Sequence, residues 1–257
     1  MLSAENISFR IGEKYLLQEN TILFEAGQFH VIMGANGAGK TTLLKLLAGD
    51  QRPSGGKIVL FKKELNHYSK KELASKRAVL SQHYNISFPI SVNDIVLMGR
   101  YPYFQNNPGL KDINICKQAM QLMDVYDLSE RDYNTLSGGE SQKVQMSRVL
   151  SQIWEARKGE EKLLFLDEPV SHLDIKYQHQ LLTAAKNLCD RHTTIIAILH
   201  DINLAIAYAD RILFMKQGKI VHDTTQLAQV STEVIREVFD VSSNIIHPPG
   251  HKPVVIF

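Results

Sequence analysis

Val31-Ile32-Met33-Gly34-Ala35-Asn36-Gly37-Ala38-Gly39-Lys40-Thr41-Thr42 is the stretch from which the fold of this chain is read. The apolar run Phe29 to Met33 has the character of a buried strand, and Leu43, Leu44, Leu47 and Ala48 recur at helical spacing. Between them lies the pattern G-x-x-x-x-G-K-T, from Gly34 to Thr41. A strand feeding a glycine-rich loop feeding a helix is the context a phosphate-binding loop requires. The glycines let backbone N–H groups turn inward around phosphate oxygens, and the helix N-terminus adds its partial positive charge. Lys40 can then reach the β- and γ-phosphates, and the Thr41 hydroxyl can ligate Mg²⁺. A tight turn that merely needs glycine does not ask for Lys-Thr at a helix start. The pattern implies a nucleoside triphosphate cradled by Gly34, Ala35, Asn36, Gly37, Ala38, Gly39, Lys40, Thr41 and Thr42.

The bulk properties agree. A chain of 257 residues accommodates one large α/β domain, with or without a small inserted lobe. Its 44% hydrophobic and 22% charged content is ordinary for a globular protein. A net charge of +2 gives no argument for nucleic acid. The basic cluster Lys62, Lys63, Lys70, Lys71, Lys76 and Arg77 has only Tyr68 among it, and reads as a solvated helix face. No nucleic-acid partner is expected. No apolar run approaches the roughly 18 residues of a membrane span, and the N-terminus lacks the basic-then-apolar pattern of a secretion signal. Cys116 and Cys189 read as buried free thiols. One phosphate loop is present, so a second nucleotide site must come from a second chain.

Along the chain, Ala4 to Phe9, Tyr15 to Leu17 and Ile22 to Phe24 read as short strands. Turns at Gly12-Glu13-Lys14 and Glu25-Ala26-Gly27 divide them, so an antiparallel piece is expected beside the phosphate-loop core. Arg52-Pro53-Ser54-Gly55-Gly56 reads as a turn before a strand from Lys57 to Phe61. A short strand, Val79 to Ser81, runs into Gln82. Residues 92 to 150 are helical in pattern, and a lobe of about 88–155 is expected as an insertion in the α/β core. The core returns with Leu163 to Glu168 and with Thr194 to Leu199, which ends at His200. Apolar runs buried on both faces imply a parallel sheet, and ligands sit at the carboxyl ends of such strands. Segments at Gly34, Asp167 and His200 all follow a strand's carboxyl end, so they are expected to converge. Arg211 to Met215 and Lys219 to Val221 read as a closing hairpin, followed by a C-terminal tail over 222–257 with a short helix.

Asp167, ending an apolar strand, is the expected Mg²⁺ anchor. The adjacent Glu168 supplies a second carboxylate that can orient or deprotonate an attacking water. Leu136-Ser137-Gly138-Gly139-Glu140 precedes an amphipathic helix with Met146, Val149, Leu150 and Ile153 on one face. Capping explains Ser137, but two glycines weaken a helix start unless a ligand approaches closely. The chain thus carries two anion-binding helix starts, each incomplete. A composite site resolves this: the phosphate loop of one copy faces Ser137, Gly138, Gly139 and Glu140 of another across the nucleotide.

These runs together resemble the ATP-binding subunit of an ABC transporter. Gly34 to Thr41 matches Walker A, Leu136 to Glu140 the signature motif, and Leu163 to Glu168 Walker B with its catalytic glutamate. Gln82 matches the Q-loop, Ser171-His172-Leu173-Asp174 the D-loop, and His200 the switch histidine. The resemblance covers nearly the whole chain, with motifs in the family's order. It implies a P-loop NTPase of the ABC ATPase type: a mainly parallel core sheet, an antiparallel β subdomain and an inserted α-helical subdomain, forming one nucleotide-binding domain over 1–257. By the same resemblance Gln82 contacts Mg²⁺ and the attacking water, His200 contacts the γ-phosphate, and Asp174 reaches across a homodimer. The expected cofactors are ATP and Mg²⁺. The expected partners are a membrane permease dimer docking near Gln82 to Tyr103 and, indirectly, a periplasmic substrate-binding protein. The expected location is the cytoplasmic face of the inner membrane. Two departures stand out. Ile11 occupies the place where the family often has an adenine-stacking aromatic, with Phe9 and Tyr15 nearby, and His172 replaces a usually small D-loop residue.

The segment Val92 to Tyr103 resembles importers of iron chelates, cobalamin and heme. Arg131-Asp132-Tyr133, Val144 to Trp154 and the charged stretch Glu155 to Lys162 lean toward the heme branch. His247 and His251 read as an exposed tail rather than heme ligands. Siderophore or cobalamin import, a non-transport ABC ATPase, and a P-loop kinase remain as alternatives, the last disfavoured by the signature run.

Overall fold

The computed structural model describes every residue except 1, 83, 85, 156–159, 172, 190–192 and 228–229. His172 and residues 156–159 of the charged stretch therefore lie outside the described residues. In chain order the elements are β1 (Leu2–Ile11), β2 (Lys14–Phe24), β3 (Phe29–Gly34), α1 (Lys40–Ala48), β4 (Gly55–Leu60), β5 (Lys63–Glu64), α2 (Lys70–Lys76), β6 (Arg77–Leu80), α3 (Val92–Leu97) and α4 (Leu110–Leu122). There follow α5 (Gly138–Ile153), β7 (Lys162–Asp167), α6 (Ile175–Cys189), β8 (Thr193–Ile198), α7 (Ile202–Tyr208), β9 (Arg211–Lys216), β10 (Lys219–Thr224), α8 (Thr232–Phe239), β11 (Asn244–Ile246) and β12 (Val254–Ile256). The chain forms two compact units, residues 1–68 with 194–257, and residues 69–193.

In the first unit, β2-β1-β4-β5 make an antiparallel sheet. Here β2 is one continuous strand, where two pieces were expected. Asn20 is the reason: it breaks the apolar pattern, yet it is buried and fully paired. Its side-chain amide donates to Gln18 O (2.6 Å) and Gly218 O (2.9 Å), and its oxygen accepts the Ile220 N–H at 2.8 Å. A buried polar group with partners costs the strand little. Gly55 and Gly56, expected in a turn, open β4 instead. Gly56 has φ +79°, and a Cβ there would lie 2.4 Å from the carbonyl oxygens of Asn6 and Glu5, at an irregularity in the β1–β4 register.

The second sheet of this unit runs β10-β9-β3-β8. Strand β3 pairs in parallel with β8 and with β9, and all six of its residues are buried. Burial on both faces is what an uninterrupted apolar strand requires. The tail holds more than a helix: β11 and β12 pair as a hairpin around Pro248-Pro249-Gly250. Asn203 of α7 holds it through Val255, donating to its carbonyl at 3.0 Å and accepting its N–H at 2.8 Å.

In the second unit, β6 and β7 pair in parallel. The expected helical stretch resolves into α3, α4 and α5, with 3₁₀ turns at Tyr126–Leu128 and Tyr133–Thr135. Met146, Val149, Leu150 and Ile153 of α5 are all buried. Arg100 is 2% exposed and satisfied: it donates to Asp112 at 2.9 Å and to Ser151 O at 2.9 Å, and lies 4.1 Å from the Tyr103 ring centroid. Cys116 and Cys189 are buried thiols outside any disulfide among the described residues, and burial pushes the Cys116 thiol up to about 11.

Candidate nucleotide site

The phosphate loop begins where β3 ends. Gly34, at φ +153°, leaves no room for a side chain, since a Cβ would meet Met215 O at 2.3 Å. Gly39, at φ +98°, is the N-cap of α1, and a Cβ there would meet Leu16 O at 2.8 Å. Gly37 differs: its φ is +79° and nothing lies within 4 Å of a Cβ position, so the loop is open on that side. Having no side chain, Gly39 caps none of the first-turn N–H groups, and no acid stands in that turn. These donors and the helix dipole suit a phosphate. Lys40 is 7% exposed, its ammonium donating to Gly34 O (2.8 Å) and Ala35 O (3.1 Å). A buried cation standing at these loop carbonyls fits an anion arriving in the same loop. Ala35 and Asn36 are exposed, Ala38 is buried, and Thr41 and Thr42 stand half-buried in the first helical turn.

Strand register then places the other candidates. Ile32 pairs with Ile198, so Gly34, the last residue of β3, and His200, two residues past β8, are equally offset at one end of adjacent parallel strands in the first unit. His200 is exposed. In the second unit Leu80 pairs with Leu166, so Gln82 and Glu168 are equally offset. The Gln82 amide accordingly donates to the Glu168 carboxylate at 2.8 Å. Asp167 is 3% exposed at the end of β7, and Glu168 turns away at φ +51°. A non-glycine residue in this region is uncommon and strained, a state found where a site fixes the backbone.

Ser137 begins α5 with a capping box. Its hydroxyl accepts the Glu140 N–H at 3.3 Å, and the Glu140 carboxylate takes both the Ser137 N–H and hydroxyl at 2.8 Å. Those bonds, the backbone one first, hold the Glu140 carboxyl below its usual range. Gly138 has open space at its Cβ position, with nothing within 4 Å. A cavity of about 630 Å³ is lined by Ser137, Gly139, Glu140, Lys143, Asp174 and Tyr177 among others. Asp174 also caps α6, accepting the Tyr177 N–H at 3.0 Å. Lys143 is a lining residue that motif reading passed over. It stands four residues after Gly139, hence on the same helical face, with its ammonium 3.1 Å from the Tyr177 ring centroid. In the first unit Ile11 and Tyr15 stand exposed near the β1–β2 turn, and Tyr15 lines a cavity of about 640 Å³ with Ser8, Gln18, Glu19 and Lys219.

Among the described residues no group of three or more His, Cys, Asp or Glu could hold a metal unaided. The donors expected from the sequence stand in both units, the Thr41 hydroxyl in the first and the Asp167 carboxylate and Gln82 amide in the second, and oxygen donors of this kind suit a hard cation. No described helix is long and apolar enough to cross a membrane.

The family described as ABC transporter matches residues 17–171. The chain is 40% identical over 257 residues to the hemin import ATP-binding protein HmuV of Gloeobacter violaceus, covering 100% of this chain and 94% of the relative. It is 39% identical to HmuV of Hahella chejuensis, covering 100% and 99%, and 38% identical to HmuV of Escherichia coli O157:H7, again covering 100% and 99%. Among solved structures, a metal-chelate type ABC transporter in an inward-facing conformation aligns with TM-score 0.80 at 26% identity, covering 99% of this chain and 96% of that one. A dimeric ATP-binding cassette, MJ0796, in a post-hydrolysis state with ADP and Pi, aligns with TM-score 0.76 at 23% identity, covering 87% and 98%.

Proposed function

The chain belongs to the ABC transporter family of ATP-binding proteins, and from that premise we propose that it is the motor subunit of an importer that carries heme across the cytoplasmic membrane. It is an ATPase of the cassette type with the α/β fold of P-loop NTPases. One observation carries the heme reading: relatives named for hemin import match it from end to end at 38–40% identity.

Lys40 and the backbone N–H groups of Gly37 to Thr42 neutralise charge on the β- and γ-phosphates. Thr41, Asp167 and Gln82 would hold Mg²⁺, which would supply positive charge against that of the phosphate oxygens. Glu168 orients the attacking water and takes up its proton as the bond from the γ-phosphorus to the ADP oxygen breaks. The Gln82 amide, bonded to Glu168 at 2.8 Å, holds that carboxylate in one orientation. His200 donates to the γ-phosphate. Ser137, Gly138, Gly139 and Glu140, with Asp174, complete the site of a second copy, so that a homodimer closes on ATP and opens after cleavage. A permease dimer supplies the membrane passage and a periplasmic binding protein the cargo; this subunit stays peripheral on the cytoplasmic side.

The test is uptake. Cells lacking this chain should lose heme import, with uptake of iron chelates and cobalamin unchanged. Retained heme import beside lost iron-chelate uptake would move the assignment to the second reading, which the metal-chelate type structural relative favours. Recovery from detergent-solubilised membranes without any permease would point to a non-transport ATPase.

A further inference from the structure

Gln82 lies exposed two residues beyond β6, yet its amide must be held where Glu168 stands. Tyr84 does the holding. Its phenol oxygen accepts the Ser81 N–H at 2.6 Å and an Arg148 guanidinium N–H at 2.9 Å, and donates to Val79 O at 3.2 Å. Ser81, just before Gln82, and Tyr84, two residues after it, are thereby tied back onto the end of β6. Arg148 reinforces this from α5, donating to Val79 O at 3.3 Å with its guanidinium carbon 5.0 Å from the Tyr84 ring centroid. Arg148 is itself oriented: its Nε donates to Gln145 Oε1 at 2.9 Å, and the Gln145 amide donates to the buried Tyr133 phenol at 3.0 Å. A second link leaves the same helix, as the Gln142 amide donates to Pro169 O at 2.9 Å, one residue past Glu168. Helix α5, which starts at Ser137, thus grips the Gln82–Glu168 pair from both sides.

We propose that Tyr84 and Arg148 are positioning residues for ATP hydrolysis, fixing Gln82 against Glu168 and tying that pair to the helix that begins at Ser137. The proposal rests on Gln82 and Glu168 being the hydrolytic pair. Tyr84→Phe is the sharpest probe, because it keeps the ring over Arg148 and removes the one oxygen that three groups share.

The experiment measures steady-state ATP hydrolysis, binding of a fluorescent ATP analogue and thermal unfolding of the full chain. The variants are Tyr84→Phe, Arg148→Lys, Arg148→Ala, Gln82→Ala and the double variant Gln82→Ala/Tyr84→Phe. Tyr84→Phe should lower kcat roughly tenfold, the scale of a small misplacement near the reacting atoms, while analogue affinity and melting temperature stay put. Arg148→Lys should retain more activity than Arg148→Ala. The double variant should be no slower than Gln82→Ala alone, because Tyr84 acts through Gln82. Full kcat in Tyr84→Phe, multiplying losses in the double variant, or a loss explained by ATP affinity or unfolding would each overturn the proposal. Glu168→Gln is the separate control: if it hydrolyses ATP normally, the reading of the catalytic pair fails first and this proposal with it.

Discussion

His30 is fully buried on the strand that leads into the phosphate loop, edge-on to Phe24 with ring centroids 5.1 Å apart. Its Nε2 stands 3.0 Å from Glu25 O, an acceptor, so Nε2 carries the proton. Its buried Nδ1 has no hydrogen-bond partner among the described residues. Burial, the largest cause, lowers its pKa from 6.5. Above 6.5 folded and unfolded chains are both neutral at this position. Below it the unfolded chain takes up a proton that the folded chain refuses, so stability falls with pH, by up to about 1.4 kcal/mol per unit, until the folded ring also titrates. Thermal melts between pH 7.5 and 5.5 should show this, and the gap between wild type and His30→Asn should narrow as pH falls; a constant gap would reject it. Lys40 sets the other expectation at this scale. Lys40→Ala removes a cation already desolvated inside the loop, so affinity for an ATP analogue should drop by more than about tenfold, and unchanged affinity would count against the loop as the nucleotide site.

At the scale of elements, the two anion-suited helix starts are built in opposite ways. Helix α1 begins at Gly39 with no side-chain cap, which leaves its donors to a ligand. Helix α5 begins at Ser137 with its own cap closed by Glu140. Ser137→Ala should therefore cost about 1 kcal/mol in chemical denaturation, whereas α1 has no capping side chain to lose. Strand β4 offers a harsher test. Gly56→Ala places a methyl 2.4 Å from two carbonyl oxygens at φ +79°, and should destabilise by more than about 1 kcal/mol. A neutral result would mean that the β1–β4 pairing relaxes at no cost.

For the whole molecule the decisive expectation concerns two copies. Lys40→Ala disables one half of a shared site and Ser137→Arg the other, so each variant alone should be inactive. Mixed together, half of random pairs combine the variants, and each such pair carries one intact site of two. Roughly a quarter of wild-type hydrolysis should return if the sites fire independently. Complete failure of the mixture, with dimers detected by scattering, would remove the shared-site arrangement.

The sequence by itself determined the phosphate loop, the apolar strands β3, β7 and β8 that lead to Gly34, Asp167 and His200, and the amphipathic face of α5, because these depend on residue type and local spacing. It lost the continuity of β2, because Asn20 is polar by type and becomes strand-compatible only through Gly218 and Ile220, some 200 residues away. It also misjudged Gly55-Gly56, since a close approach by Glu5 and Asn6 calls for glycine just as a turn does. Only the tertiary structure decided that Gln82 meets Glu168, through the equal offset of two parallel strands whose pairing no local pattern encodes. The grip of Tyr84 and Arg148 came the same way: a phenol and a guanidinium 64 positions apart become partners only after long-range packing brings them to hydrogen-bond distance.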